Sequence, residues 1–283
     1  MRFNALPTAC LALLFGSLSQ AQPTGDSQAQ PAGNSSSINS LFGGKKAGTG
    51  AAQAKITCPT GDGVGLIAVR GSTEDPGPGR MLAPVVTNAT NQMPGTTLVS
   101  VDYPARLIPD YVGSEREGVV ALTALMRQYA TACPGAPMVL MGYSQGAQVI
   151  ADVISNATTP VDNPAQPLSL NDVAGVLMFG DPSRVDGEPF NAGSANGDGL
   201  FARVDSKALE ALGDRLLSIC NDGDPVCDRG INLSVHLSYD ETNGAQGSQF
   251  VVNRGMKAVA AKKAAAKASP PEAKGKRAAA WTA

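Results

Sequence analysis

The chain predicts an α/β fold, a mostly parallel central sheet with helices on both faces in three layers. Three observations carry that prediction. Apolar runs of strand length alternate with segments of helical periodicity. The runs are near-continuous, as expected of strands buried on both faces. The one G-x-S-x-G match, Gly142-Tyr143-Ser144-Gln145-Gly146, sits between such a run and a helical segment.

The elements follow in order. Val64-Gly65-Leu66-Ile67-Ala68-Val69 reads as the first strand, and a helix is predicted near 80–92. Thr97 to Val101 is the second strand. The clearest helix covers 114–130, where Ser114-Glu115-Arg116-Glu117 reads as a capping box and Val119, Leu122, Met126 and Tyr129 recur at helical spacing. Met138 to Met141 is the strand before the pentapeptide, and a helix over 145–155 follows it. Val173 to Phe179 and Arg215 to Ile219 complete the strands, and a helix over 246–261 closes the domain. No internal repeat is present.

A strand, a tight turn and a helix around G-x-S-x-G form the setting in which a serine becomes a nucleophile. An unaided hydroxyl is a weak nucleophile and needs a base. The chain has one histidine, His236, so only one imidazole is available. It follows the serine with aspartates between, the order Ser…Asp…His of α/β-hydrolases. Residue types alone leave Asp222 and Asp224 tied as its partner. Gln145 N–H, directly after the serine, is a donor for a developing oxyanion, and the loop Arg70-Gly71-Ser72-Thr73-Glu74 after the first strand is a source of a second.

The ends of the 283 residues define the domain. Residues 1–21, with Met1-Arg2, an apolar stretch from Cys10 to Phe15 and Ser19-Gln20-Ala21, read as a secretory signal peptide. Residues 22–55 read as a disordered leader or propeptide. The catalytic domain is expected over 56–256 and a basic Ala/Lys-rich tail over 257–283. The expected product is extracellular, with no segment long enough to span a bilayer. With the signal removed, Cys58, Cys133, Cys220 and Cys227 remain, and they allow three pairings. The exported setting and the lack of nearby histidine argue against a zinc site. Asn34, Asn88, Asn156 and Asn232 stand in glycosylation sequons. The net charge of −2 and pI near 5.5 do not mark a nucleic-acid binder, and a monomer is expected.

RGSTE at 70–74, GYSQGA at 142–147, the CNxGDxVC ring at 220–227 and HLSY at 236–239 resemble the cutinase family, which includes cutinases and acetylxylan esterases. The resemblance covers about 200 residues in matching order and spacing. It implies a lidless α/β-hydrolase, with Asp224 rather than Asp222 in the catalytic position beside Ser144 and His236. It implies Ser72 and Gln145 as oxyanion-hole residues, the pairings Cys58–Cys133 and Cys220–Cys227, and no metal or cofactor. RGSTE, GYSQGA, HLSY and the four cysteines resemble the cutinase branch. Phe179-Gly180-Asp181-Pro182 and the polar insertion 183–205 resemble the acetylxylan esterase branch. The expected substrate is an ester polymer, cutin in the first instance and acetylated xylan as the alternative. A wall- or host-binding protein with incidental hydrolysis is the alternative of another class.

Overall fold

The computed structural model describes residues 55–156 and 168–268. The signal peptide, the leader up to residue 54, Asn34 and the tail beyond 268 lie outside the described residues. The strands are β1 (Gly65–Val69), β2 (Thr97–Ser100), β3 (Met138–Tyr143), β4 (Val173–Phe179), β5 (Asn191–Ala192) and β6 (Leu216–Ile219). They form one sheet in the order β2-β1-β3-β4-β6-β5, and every pairing is parallel.

Alternate residues of each strand face opposite sides, which divides the core in two. Ile67, Val69, Leu140, Val176 and Met178 pack under α2 (Tyr111–Ala132) and α3 (Gln145–Asn156), against Leu122, Met126, Tyr129, Val149, Ile150 and Val153. Leu66, Ala68, Val139, Met141, Leu177 and Phe179 pack under α1 (Ala83–Gln92) and a long C-terminal helix, against Leu82, Val85, Ala89, Val251 and Val252. The continuous apolar runs arise because both faces are covered. Each such Leu or Val contributes about 1.5–3 kcal/mol by leaving water.

The remaining helices are α4 (Lys207–Glu210), α5 (Leu233–His236), α6 (Tyr239–Thr242) and α7 (Gly244–Ala268). Helix α7 continues past residue 256 into the stretch assigned to the tail, with Val259 still buried. Helix α2 starts three residues before the expected cap. Its N-cap is Asp110, whose carboxylate accepts Gly113 N–H at 2.9 Å, so Ser114 lies inside the first turn. Strand β5 has no apolar run to announce it. It lies in the polar insertion and pairs Asn191 with Ser218 and Ala192 with Ile219. Disulfides join Cys58 to Cys133 and Cys220 to Cys227.

Candidate active site

Ser144 stands between β3 and α3 in the left-handed region, at φ 52°. A side chain costs energy there, and the turn is held from both sides. Ser144 N–H donates to Phe179 O at 2.9 Å, and Ser144 O accepts from Ala147 N–H and Gln148 N–H. A Cβ at Gly142 would strike the backbone of Gly146 and Ala147, and one at Gly146 would strike the Val69 carbonyl. The two glycines of the pentapeptide are therefore required by close approach.

His236 is the last residue of α5 and is 5% exposed. Its Nε2 lies 3.0 Å from Ser144 Oγ, and its Nδ1 lies 2.8 Å from Asp224 Oδ2. A carboxylate only accepts, so the proton sits on Nδ1 and the Nε2 lone pair faces the serine. Tyr143 OH donates to His236 O at 2.8 Å, with the two rings 5.1 Å apart, and the Tyr239 ring meets the imidazole edge-on. Gly180, at φ 60°, leaves room for the imidazole edge that a Cβ would meet.

Asp224 is fully buried inside the Cys220–Cys227 ring. Its Oδ1 accepts from Val226 N–H at 2.7 Å and Cys227 N–H at 3.2 Å. Its Oδ2 accepts from His236 and, at 2.8 Å, from Tyr239 OH. Burial pushes the carboxyl pKa up. The hydrogen bond and charge of His236, the Val226 N–H and the Tyr239 hydroxyl outweigh it and hold the pKa below the usual aspartate value. Asp222, the other carboxylate of the ring, is exposed, and its N–H goes to Ser194 Oγ. The structure thus brings Ser144, His236 and Asp224 into one line and leaves Asp222 outside it. Cys220, Asp224 and Cys227 also cluster tightly enough to suggest a metal site, but the two sulfurs are bonded to each other.

The ring is braced by the polar insertion. Asp228 takes Gly223 N–H on one carboxylate oxygen and both Asn196 N–H and Gly197 N–H on the other. Leu200 N–H reaches Val226 O, Ala195 N–H reaches Cys220 O and Arg229 Nε reaches Gly199 O. Residue type alone gives no role to Asp228 or to the Tyr239 hydroxyl. Adjacency to the ring and to His236 was the available signal.

The loop after β1 lies against the serine. A Cβ on Gly71 would come within 3.3 Å of Ser144 Cβ. Glu74 folds the loop, accepting Gly71 N–H at 2.7 Å and Met81 N–H at 3.1 Å. Buried Arg70 anchors it to the carbonyls of Val101 and Tyr103 and lies over the Tyr103 ring. Ser72 Oγ is buried and has no hydrogen-bond partner among the described residues. Gln145 opens α3, so its N–H has no intrahelical acceptor. A cavity of about 550 Å³, lined by Ser72, Tyr143, Leu237 and residues 73–76 and 78–81, adjoins this loop. Leu107, Ile108, Leu233 and Leu237 are exposed, and Val235 is half-buried.

A base within hydrogen-bond reach of a hydroxyl, oriented in turn by a buried carboxylate, is the arrangement that activates a serine. Comparisons with known proteins place the chain among ester hydrolases. An acetylxylan esterase of Hypocrea jecorina is 30% identical over 209 residues, 70% of this chain and 68% of that protein. The phospholipase Culp4 of Mycobacterium tuberculosis is 31% identical over 207 residues, 71% of this chain and 81% of that protein. The solved catalytic core domain of acetyl xylan esterase from Trichoderma reesei superposes with a TM-score of 0.60 at 28% identity, covering 70% of this chain and all of that one. The family model described as Cutinase matches residues 58–255, and the chain belongs to that family of carboxylic ester hydrolases.

Proposed function

We propose that this chain is an exported serine esterase that cleaves carboxylic esters of plant polymers through Ser144, His236 and Asp224. The observation that carries the reading is the unbroken line from Ser144 Oγ through His236 to Asp224, at 3.0 and 2.8 Å. Ser144 Oγ attacks the ester carbonyl carbon while His236 Nε2 takes its proton. The carbonyl oxygen becomes an oxyanion, and the N–H of Gln145 together with Ser72 stabilises it. Collapse breaks the bond to the alcohol, which leaves with the proton from His236. Water then adds to the acyl-enzyme with His236 as base, releasing the acid and restoring Ser144.

Cutin is the substrate this reading favours. Leu107, Ile108, Leu233 and Leu237 expose apolar side chains, which suits a long acyl chain. The insertion 183–205, a candidate to close the acyl site, has much of its hydrogen bonding directed to the Cys220–Cys227 ring. The predicted signal and the two disulfides support export. A second reading, deacetylation of xylan, is favoured by the superposed acetyl xylan esterase. Product analysis separates them. Hydroxy fatty acids released from cutin are expected; acetic acid from acetylated xylan with no release from cutin would select the second reading. A wall-binding protein with incidental hydrolysis would release neither at an appreciable rate.

A further inference from the structure

We propose that Ser114 is a positioning residue that, through the buried side chain of Gln145, sets the spacing between the two oxyanion donors. The inference rests on Ser144 being the nucleophile and on Ser72 and Gln145 lining the oxyanion hole.

Helix α2 does not need the Ser114 hydroxyl, because Asp110 caps it. Ser114 is nevertheless fully buried, and its Oγ accepts Arg106 N–H at 2.8 Å and donates to Gln145 Oε1 at 3.2 Å. The Gln145 amide is fully buried as well. Its Nε2 donates to Arg106 O at 2.9 Å and Tyr111 O at 3.2 Å. Turning that amide over would set its oxygen against two carbonyls, so its orientation is fixed. Both backbone groups of Arg106 are thereby held, one by Ser114 and one by Gln145.

One residue earlier, Ala105 O accepts Thr73 N–H at 2.7 Å. Ala105 and Thr73 both lie in the left-handed region, at φ 51° and 67°, and neither is glycine. Such strain persists where surrounding bonds over-determine the backbone. Thr73 is bonded covalently to Ser72. A continuous path therefore runs from the Gln145 side chain through Arg106, Ala105 and Thr73 to Ser72, with Ser114 closing it at the centre. Gln145 supplies a backbone donor at one end and the anchor of the other donor's loop at its side-chain end. The acyl oxygen needs donors at about 2.7–3.1 Å, and a misplacement of about 1 Å can cost about a hundredfold in rate. Replacing Ser114 by alanine strands Arg106 N–H and Gln145 Oε1 in a buried site and frees the loop to shift.

The test uses the full chain with Ser114→Ala and Gln145→Glu, each normalised to titratable active sites so that misfolded protein does not count. Gln145→Glu keeps the backbone N–H but faces two carbonyls with an acceptor. The probe is an alkyl trifluoromethyl ketone, whose hemiketal places an oxyanion in the hole. Ser114→Ala should lower kcat on p-nitrophenyl butyrate by about tenfold, and Gln145→Glu by about a hundredfold. KM should stay within about twofold, and the inhibition constant of the ketone should rise by the same factor as kcat/KM falls. Wild-type kcat and ketone affinity per titrated site, with only a lowered melting temperature, would overturn the proposal and leave Ser114 a structural residue. Ser144→Ala is the separate control. If it retains activity, the nucleophile reading fails whatever the Ser114 variant does.

Discussion

Tyr239 OH and His236 Nδ1 meet the same oxygen of Asp224, each at 2.8 Å. The tyrosine also accepts Asn221 N–H at 3.2 Å, tying the Asp224 carboxylate to the start of its own ring. The HLSY segment therefore supplies two groups to the site rather than one. Helix α5 presents the imidazole, and the first residue of α6 presents the hydroxyl.

Tyr239→Phe should lower kcat/KM by about threefold to tenfold, since a hydrogen bond to a charged group contributes about 1.5–3 kcal/mol and only part of that bears on the transition state. The variant should also melt lower than the wild type near pH 7. Asp224 has a depressed folded-state pKa, so it contributes stability above the ordinary aspartate value and loses it as pH falls through the folded value. Tyr239→Phe weakens that depression, and the gap in melting temperature should narrow in acid. Melting curves between pH 2 and 7 check this; a gap constant with pH would contradict it.

Breaking the Cys220–Cys227 disulfide should reduce activity in a chain that still folds. The ring closes over a sequence separation of 7, and so short a loop gains roughly 2–3 kcal/mol from cross-linking in the chain-entropy model. Its main effect is to hold Asp224 against the Val226 and Cys227 amides. Cys220→Ser with Cys227→Ser should remain folded at 25 °C with kcat reduced about tenfold or more, because a mispositioned Asp224 no longer orients His236. Circular dichroism beside kinetics decides it, and unchanged kcat in a folded variant would be the contrary result.

Buried Glu115 on α2 and half-buried Asp152 on α3 form a carboxyl pair. Burial first, then the charge and hydrogen bond of Asp152, push Glu115 up to about 7 against the pull of Arg116 and Arg203. Asp152 is raised as well, chiefly by burial and then by Asp181, against the nearby Arg203. A raised carboxyl favours the folded state at low pH. Its contribution is complete below the unfolded value of 4.5 and is lost as pH rises to about 7. Glu115→Gln should flatten the fall of melting temperature across that window. An identical slope in both proteins would contradict the sign.

The exposed apolar side chains of Leu107, Ile108, Leu233 and Leu237 make acyl length a direct test of substrate class. Each further buried methylene contributes about 0.8 kcal/mol, so kcat/KM should rise about threefold to fourfold per methylene from acetyl to butyryl p-nitrophenyl esters. A steep fall from acetyl to butyryl would indicate a closed acyl site and favour deacetylation.

Much of this was legible in the sequence because the sheet is buried on both faces. Val64 to Val69 and Val173 to Phe179 had to be continuous apolar runs, and a sharp turn had to carry glycines at 142 and 146. What escaped was decided by tertiary partners. Ser114 with Glu117 has the form of a capping box, yet Asp110 outcompetes it by reaching Gly113 N–H, and Ser114 turns to Arg106 and Gln145 instead. Strand β5 carries no periodicity, since two residues cannot show one. Asp222 and Asp224 differ in burial and in hydrogen-bond partners, not in residue type, so only the family resemblance separated them.

Stoichiometric labelling with a radioactive organophosphate, followed by peptide mapping, tests the central claim most directly when run on the wild type and on the Ser144→Ala, His236→Ala, Asp224→Ala and Asp222→Ala variants. One equivalent should attach to Ser144 with complete loss of esterase activity. The Ser144, His236 and Asp224 variants should lose at least about a thousandfold in kcat/KM while remaining folded, and Asp222→Ala should retain most of its rate. Label on another residue, or a folded Ser144→Ala enzyme that keeps its activity, would contradict the triad.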